Sequence, residues 1–236
     1  MRRGALTVLL SFLLTVGAAA CGEERQDTAA GGESGQEQEA TPAPAPTTDA
    51  QATGCEPMAE PPPKAEEERA RPTTELDPSK TYVATVLTNC GEFEITLDAD
   101  RAPKTGGSFV ELARDGFFDG TIFHRVEPGF VIQGGDPQGT GLGGPGYSVV
   151  EAPPQDLAYT KYVVAMAKTA VEDPGTSGSQ FFVVTGEDAG LPPEYALLGK
   201  VTAGTDVVDR IGVAEVGPDA RPLEPVVIRQ VRIEER

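Results

Sequence analysis

Between residues 81 and 236, apolar and polar positions alternate in short runs bounded by Gly, Pro, Asn and Asp. Such runs predict strands whose successive side chains face opposite ways. Thr81 to Thr88 and Glu92 to Leu97 alternate as a hairpin across Asn89-Cys90-Gly91. Val163 to Lys168 and Gly178 to Val184 contain β-branched and aromatic cores that read as buried strands, and Val226 to Ile233 reads as a closing strand. Two stretches are helical instead. Pro103 to Asp115 carries Phe109, Val110 and Leu112, with a proline acceptable in the first turn, and a second helix is expected over Thr205 to Ile211. Pattern alone predicts an all-β barrel capped by two helices, in one domain of about 155 residues.

The pattern fails before residue 81. Residues 22–80 are rich in Ala, Pro, Gly, Glu, Gln and Thr and poor in large apolar side chains. They cannot bury enough surface to offset ordering entropy, so 21–80 is expected to be a disordered tether. At the N-terminus, Arg2-Arg3 precedes an apolar stretch from Leu6 to Ala20 and then Cys21. A basic start, a short apolar run and small residues at its end predict a signal peptide over 1–20. Ala18-Ala19-Ala20 before Cys21 is similar to a bacterial lipoprotein signal, although Ala18 stands where leucine is usual. Cys21 would then be lipidated, and the chain held on the outer face of the cell membrane. The plainer alternative is an ordinary cleaved signal and a secreted chain.

Charge and cysteine usage narrow the picture. With 37 acidic and 19 basic residues, the chain carries a net charge of −18, spread over tether and domain, which excludes a nucleic-acid partner. Lipidation of Cys21 would leave Cys55 and Cys90 as an even pair in an oxidising compartment, where a disulfide between them is expected. That bridge would pin 56–80 along the barrel.

Chemistry concentrates in Phe123-His124-Arg125-Val126-Glu127-Pro128-Gly129-Phe130-Val131-Ile132-Gln133-Gly134-Gly135-Asp136. Period-two spacing turns Arg125 and Glu127 to one side of a Pro-Gly turn, and places Val131 and Gln133 on one face beyond it. Arg125 is a permanent cation with up to about five donors. His124 is the single histidine, so any triad would have to pass through it. Gly175-Thr176-Ser177-Gly178-Ser179 fails the nucleophile-elbow pattern at its last position, and three cysteines with one histidine give no zinc spacing. Gln180, inside an apolar strand, needs a partner or a ligand. The G-x-G-x-x-G runs at 139–144 and 141–146 lead into Pro145 and a β-like stretch rather than a helix, which excludes a dinucleotide site and predicts a tight loop at the pocket rim. The site is one that positions and polarises, with no metal and no cofactor.

Several blocks in order carry a resemblance: the 123–136 motif, Gly139-Thr140-Gly141 with Gly143-Gly144, Met166-Ala167, Gly178-Ser179-Gln180-Phe181-Phe182 and Leu198-Gly199-Lys200-Val201. Over residues 81–236 the chain resembles the cyclophilin family of peptidyl-prolyl cis-trans isomerases. The resemblance implies a closed eight-stranded antiparallel barrel with an active site on its outer surface. It implies Arg125 as the catalytic donor, beside the proline nitrogen and substrate carbonyl. Phe130, Val131, Phe182 and Leu191 would wall a proline pocket, and Gln133 would orient the arginine. Ala167, Lys168 and Gln180 would bind substrate backbone, with His124 at the pocket edge and Tyr195 and Leu198 among the binding residues. Tyr195 replaces a histidine of animal members, and Gly190 stands where they carry a tryptophan. Proline-containing clients of a monomeric isomerase assisting extracytoplasmic folding are the expectation; a proline-recognising module with little turnover is the alternative.

Overall fold

Alternating faces close on themselves here, so that no strand of the main sheet is left with an open edge. A computed structural model gives the fold and describes residues 54–236. The strands are β1 (Tyr82–Thr88), β2 (Gly91–Leu97), β3 (Thr121–Glu127), β4 (Val131–Asp136), β5 (Val149–Val150), β6 (Val163–Met166), β7 (Thr176–Ser177), β8 (Phe181–Val184), β9 (Leu197–Ala203) and β10 (Val227–Glu235). Helix α1 spans Pro103–Arg114 and α2 spans Thr205–Ile211. The closed barrel runs β1-β10-β3-β4-β8-β6-β9-β2, with neighbours antiparallel, and β5 and β7 form a separate two-stranded sheet.

Inside the barrel the inward residues meet those of α1. Phe109 stacks on Phe118 with ring centroids 4.8 Å apart, and Phe181 meets Phe109, Phe118 and Phe123 edge-on at 5.7, 6.0 and 5.9 Å. These offset and edge-to-face arrangements suit the ring quadrupoles. Leu198 belongs to this core and is fully buried. It therefore cannot touch a ligand on the outer surface, and its assignment to the binding residues is corrected: in β9 it is Leu197 that faces outward, into a second apolar cluster.

The Gly106-Gly107 pair weakens α1 intrinsically, by about 1 kcal/mol per glycine. Close approach explains it. The chain ahead of the barrel crosses the helix there, and a Cβ at Gly107 would collide with the Thr74 carbonyl. The Glu151 carboxylate accepts from the free N–H groups of Lys104 and Thr105, at 3.1 and 2.8 Å. It thereby serves as the N-terminal cap that Ala102 lacks.

Residues 54–80, assigned to the tether by composition, form an arm against the barrel wall, without regular secondary structure. Cys55 is bonded to Cys90 (S–S 2.02 Å), and Glu56 N–H donates to the Asn89 carbonyl at 2.7 Å. Lys64 Nζ donates to the carbonyl of Phe117 at 2.6 Å, and Leu76 is buried in the core. The bridge pins the segment along the barrel as the cysteine pairing predicts, whereas composition alone makes it a disordered tether because its contacts are side-chain and carbonyl contacts rather than a hydrophobic stripe. The signal peptide, Cys21 and the tether as far as residue 53 lie outside the described residues. Among the described residues, no helix is long and apolar enough to cross a membrane.

Candidate active site

The site is built on the outward faces of β3, β4, β6 and β8. Ideal alternation would put Phe123 and Arg125 on one face, yet Phe123 is in the core and Arg125 points out. Two register shifts produce this. Ile122 pairs Asp136 and Phe123 pairs Gly134, leaving Gly135 extra; Arg125 then pairs Gln133, leaving His124 extra. Gly135 takes φ +83°, which an L side chain resists. Bulges of this kind re-aim side chains beside sites. At the hairpin end, Glu127 to Phe130 form a turn with Gly129 at φ +75° and Phe130 N–H on the Glu127 carbonyl at 3.0 Å. That turn brings Phe130 over the face carrying Arg125.

A groove of about 250 Å³ results, lined by Arg125, Phe130, Val131, Gln133, Ala167, Lys168, Phe182, Leu191 and Tyr195. Its floor is the outer apolar cluster, where Phe182 meets Tyr195 edge-on at 5.5 Å and lies tilted against Tyr159 at 6.2 Å. Tyr159 is a support that the sequence reading missed. Fully buried, it donates its hydroxyl to the Tyr195 carbonyl at 2.6 Å and accepts from the Tyr195 N–H at 3.0 Å. Burial pushes its pKa up to about 12, so the hydroxyl keeps its proton.

Arg125 is held by three neighbours. Its guanidinium donates to Gln133 Oε1 at 3.2 Å and pairs with Glu127 at 2.5 Å, and it lies 6.0 Å from the Phe130 ring centroid. Only two of its donors are used in these bonds, which leaves others for a ligand. Gln133 in turn donates to Gln180 Oε1 at 2.9 Å, and Gln180 donates to the Gly143 carbonyl at 2.9 Å. Donor and acceptor ends thus run in one sense, from the cation to a backbone carbonyl. Lys168 has a nearly buried side chain that bonds the carbonyls of Thr169 and Glu172 and lies 3.7 Å from Glu194. A larger hollow of about 550 Å³, bounded by Gly141 to Ser148, shares Gln133, Ala167 and Lys168 with the groove.

His124 is not at the pocket edge. As the bulge residue it is buried, neither ring nitrogen has a hydrogen-bond partner among the described residues, and a Cβ at Gly141 would lie 3.7 Å from its Nε2. Burial pushes its pKa down; Asp136 pulls the other way, and Arg221 and Arg125 add to the lowering. Asp136 is the organiser that the sequence shows only as the end of a Gly-Gly-Asp turn. Its carboxylate accepts the backbone N–H groups of Gln138, Thr140, Gly141 and Gly143 at 2.7, 3.0, 2.5 and 3.2 Å. Burial would raise its pKa, but these bonds and His124 outweigh it and hold the carboxyl below the usual range. The glycine run after Gly135 was the available signal, since only such a run lets four N–H groups converge on one carboxylate.

The barrel thus carries a small, largely apolar groove beside an oriented cation. Residues 83–233 match the family of cyclophilin type peptidyl-prolyl cis-trans isomerases. Peptidyl-prolyl cis-trans isomerase B of Streptomyces anulatus is 44% identical over 172 residues, covering 65% of this chain and 97% of the relative. Probable peptidyl-prolyl cis-trans isomerase A of Mycobacterium leprae is 40% identical over 168 residues, covering 64% of this chain and 91% of the relative. The crystal structure of a Cryptosporidium parvum cyclophilin type isomerase, in the presence of the dipeptide Ala-Pro, superposes with a TM-score of 0.61 at 30% identity, over 64% of this chain and 98% of that one. The chain belongs to the cyclophilin type peptidyl-prolyl cis-trans isomerases.

Proposed function

We propose that this isomerase turns Xaa-Pro bonds of extracytoplasmic polypeptides in the Arg125 groove, from a position held at the membrane by lipid on Cys21. Rotation must break amide resonance, against a barrier of about 18–20 kcal/mol, and needs no covalent step. A proline ring would sit on Phe130, Val131, Phe182 and Leu191. The spare Arg125 donors would meet the carbonyl and nitrogen of the turning bond, stabilising the twisted state more than either planar one. Ala167 and Gln180 would bind backbone at the rim. The observation that carries this reading is Arg125, fixed by Gln133 and Glu127 at the mouth of an apolar pocket. The parasite relative's structure in the presence of Ala-Pro supports a proline-containing ligand. The extracytoplasmic setting rests on the N-terminal sequence and the Cys55–Cys90 bridge, since disulfides persist in oxidising compartments.

Exchange NMR on an Xaa-Pro peptide tests the activity: catalytic amounts of the chain are expected to produce cis–trans exchange peaks. Their absence would reject turnover and leave a binding module. Intact mass of protein from the native envelope tests the anchor. A lipid mass on Cys21 is expected, and an unmodified mature N-terminus would exclude it.

A further inference from the structure

The relay behind Arg125 does not end in the barrel. It ends on the Gly143 carbonyl, in the loop 137–146, and that loop is gripped from the far side by the N-terminal arm. Lys64 N–H donates to the Pro137 carbonyl at 2.9 Å, and Arg69 N–H to the Pro145 carbonyl at 3.1 Å. Gln138 Nε2 donates to Glu66 at 3.1 Å. Arg221 ties both together, donating to the Gly139 carbonyl at 2.7 Å and pairing with Glu60 at 2.6 Å. At Gly146 the packing is tight enough that a Cβ would lie 2.8 Å from the Glu68 Cα. The arm is fixed at its start by Cys55–Cys90 and farther along by Arg69 on Asp115 and by buried Leu76. The family match begins only at residue 83, so these contacts come from outside the shared domain.

We propose that the arm, residues 55–76, is a positioning element of the isomerase site: by clamping loop 137–146 it fixes the Gly143 carbonyl, and through Gln180 and Gln133 it fixes Arg125. This rests on the reading that Arg125 acts on the Xaa-Pro bond. A donor that works in the twisted state must be placed before the bond turns, and small misplacement is costly. Freeing the arm lets the carbonyl shift, the two amides re-pair and the guanidinium wander. The pocket walls, Val131 on β4, Phe182 on β8 and Phe130 and Leu191 in the turns beside them, lie apart from loop 137–146 and stay where they are. The expected signature is a fall in kcat with KM little changed.

The test uses the full chain in three forms: oxidised, reduced at Cys55–Cys90, and oxidised carrying Glu60→Ala with Arg69→Ala. The last form removes the Glu60–Arg221 and Arg69–Asp115 pairs and leaves the bridge and barrel intact. Peptide kinetics are read beside the side-chain amide signals of Gln133 and Gln180. We expect kcat to fall roughly 2- to 30-fold in both altered forms, the scale of coupling through a packed network. Both glutamine signals should move while the core aromatic signals of Phe118 and Phe181 do not, and reoxidation should restore the wild-type values. Unmoved glutamine signals, or unchanged kcat, in a chain whose arm amides have become exchangeable would overturn the proposal. If the oxidised chain turns over no peptide, the isomerase reading fails on its own, and the glutamine signals still decide whether the arm sets the relay.

Discussion

The inner and outer faces of β4, β6 and β8 are made from neighbouring residues and do opposite work. Ile132, Val164, Met166, Phe181 and Val183 point inward and are closed off by α1 and the other walls. Val131, Val163, Ala165, Phe182 and Val184 point outward and form a second cluster, completed by half-buried Phe130, Leu191 and Tyr195. The inner face is closed to solvent. The outer one leaves a groove of about 250 Å³ open, with the Arg125 guanidinium beside it. Stability and recognition are thus separated by a single step along a strand.

The sharpest way to break this comparison is the adjacent pair Phe181 and Phe182. Phe181→Ala should cost about 3–5 kcal/mol of stability, the scale of a large cavity in a packed core. Phe182→Ala should cost less stability and raise KM for proline peptides. Denaturant melts and kinetics on both variants check this, and equal stability losses would erase the distinction between the faces. Arg125→Ala comes next. Removing the oriented donor should cost about 2.7–4 kcal/mol of transition-state stabilisation, or roughly 100- to 1,000-fold in rate, with an unchanged melt. Near-normal turnover would show that the cation is not the catalyst.

Cutting the bridge between Cys55 and Cys90, which closes a separation of 35 residues, should lower stability by about 3–4 kcal/mol, less where the arm stays docked through its other contacts. Thermal melts with and without reductant measure it. Free alkylation of both thiols in unreduced protein would show the bridge does not form. A smaller effect is expected at the rim. Gly190 has φ +62° and open space around its Cβ position, so it offers neither the indole donor nor the flat face of the animal tryptophan. Cyclosporin-type inhibition should be weaker by about 5- to 150-fold while peptide turnover survives, as an inhibitor titration would reveal.

Titration of buried His124 makes the stability of the fold depend on pH. Its folded pKa lies below its ordinary value because it is buried, so the unfolded chain takes up the proton first as pH falls through about 6.5. The stability it confers is complete above that pH and is lost as pH falls toward the folded value. Melting temperature should therefore drop between pH 7.5 and 5.5, and drop less in His124→Gln. Equal drops would assign the acid sensitivity elsewhere.

Much of this was legible in the chain. Strand and helix bounds fall within a few residues of the alternation, and α2 over Thr205–Ile211 matches it outright. Of the groove residues, Arg125 and Gln133 stand out by their chemistry and spacing in the motif that pairs β3 with β4, whereas Phe182, Leu191, Tyr195, Ala167 and Lys168 are placed there by the family resemblance. What alternation could not show were the two bulges, since a period-two rule has no place for an extra residue; the resemblance puts His124 at the pocket edge, and the bulge buries it instead. Leu197 and Leu198 are chemically alike, and only the register of β9 on β6 tells which one faces out. The arm was half legible: the cysteine pairing pins 56–80 along the barrel, while composition alone makes the segment a disordered tether. Its contacts run from Lys, Arg and backbone N–H groups to carbonyls and carboxylates, and a composition count treats these as solvent-facing.

The claim that the outer face receives the proline ring is tested most directly by intermolecular NOEs to a bound Xaa-Pro peptide. The account predicts contacts from proline ring protons to the side chains of Phe130, Phe182 and Leu191, with Arg125 side-chain signals shifting as the peptide is added. Contacts centred instead on the separate hollow lined by Pro78, Leu157 and Leu197, with Arg125 unmoved, would contradict it.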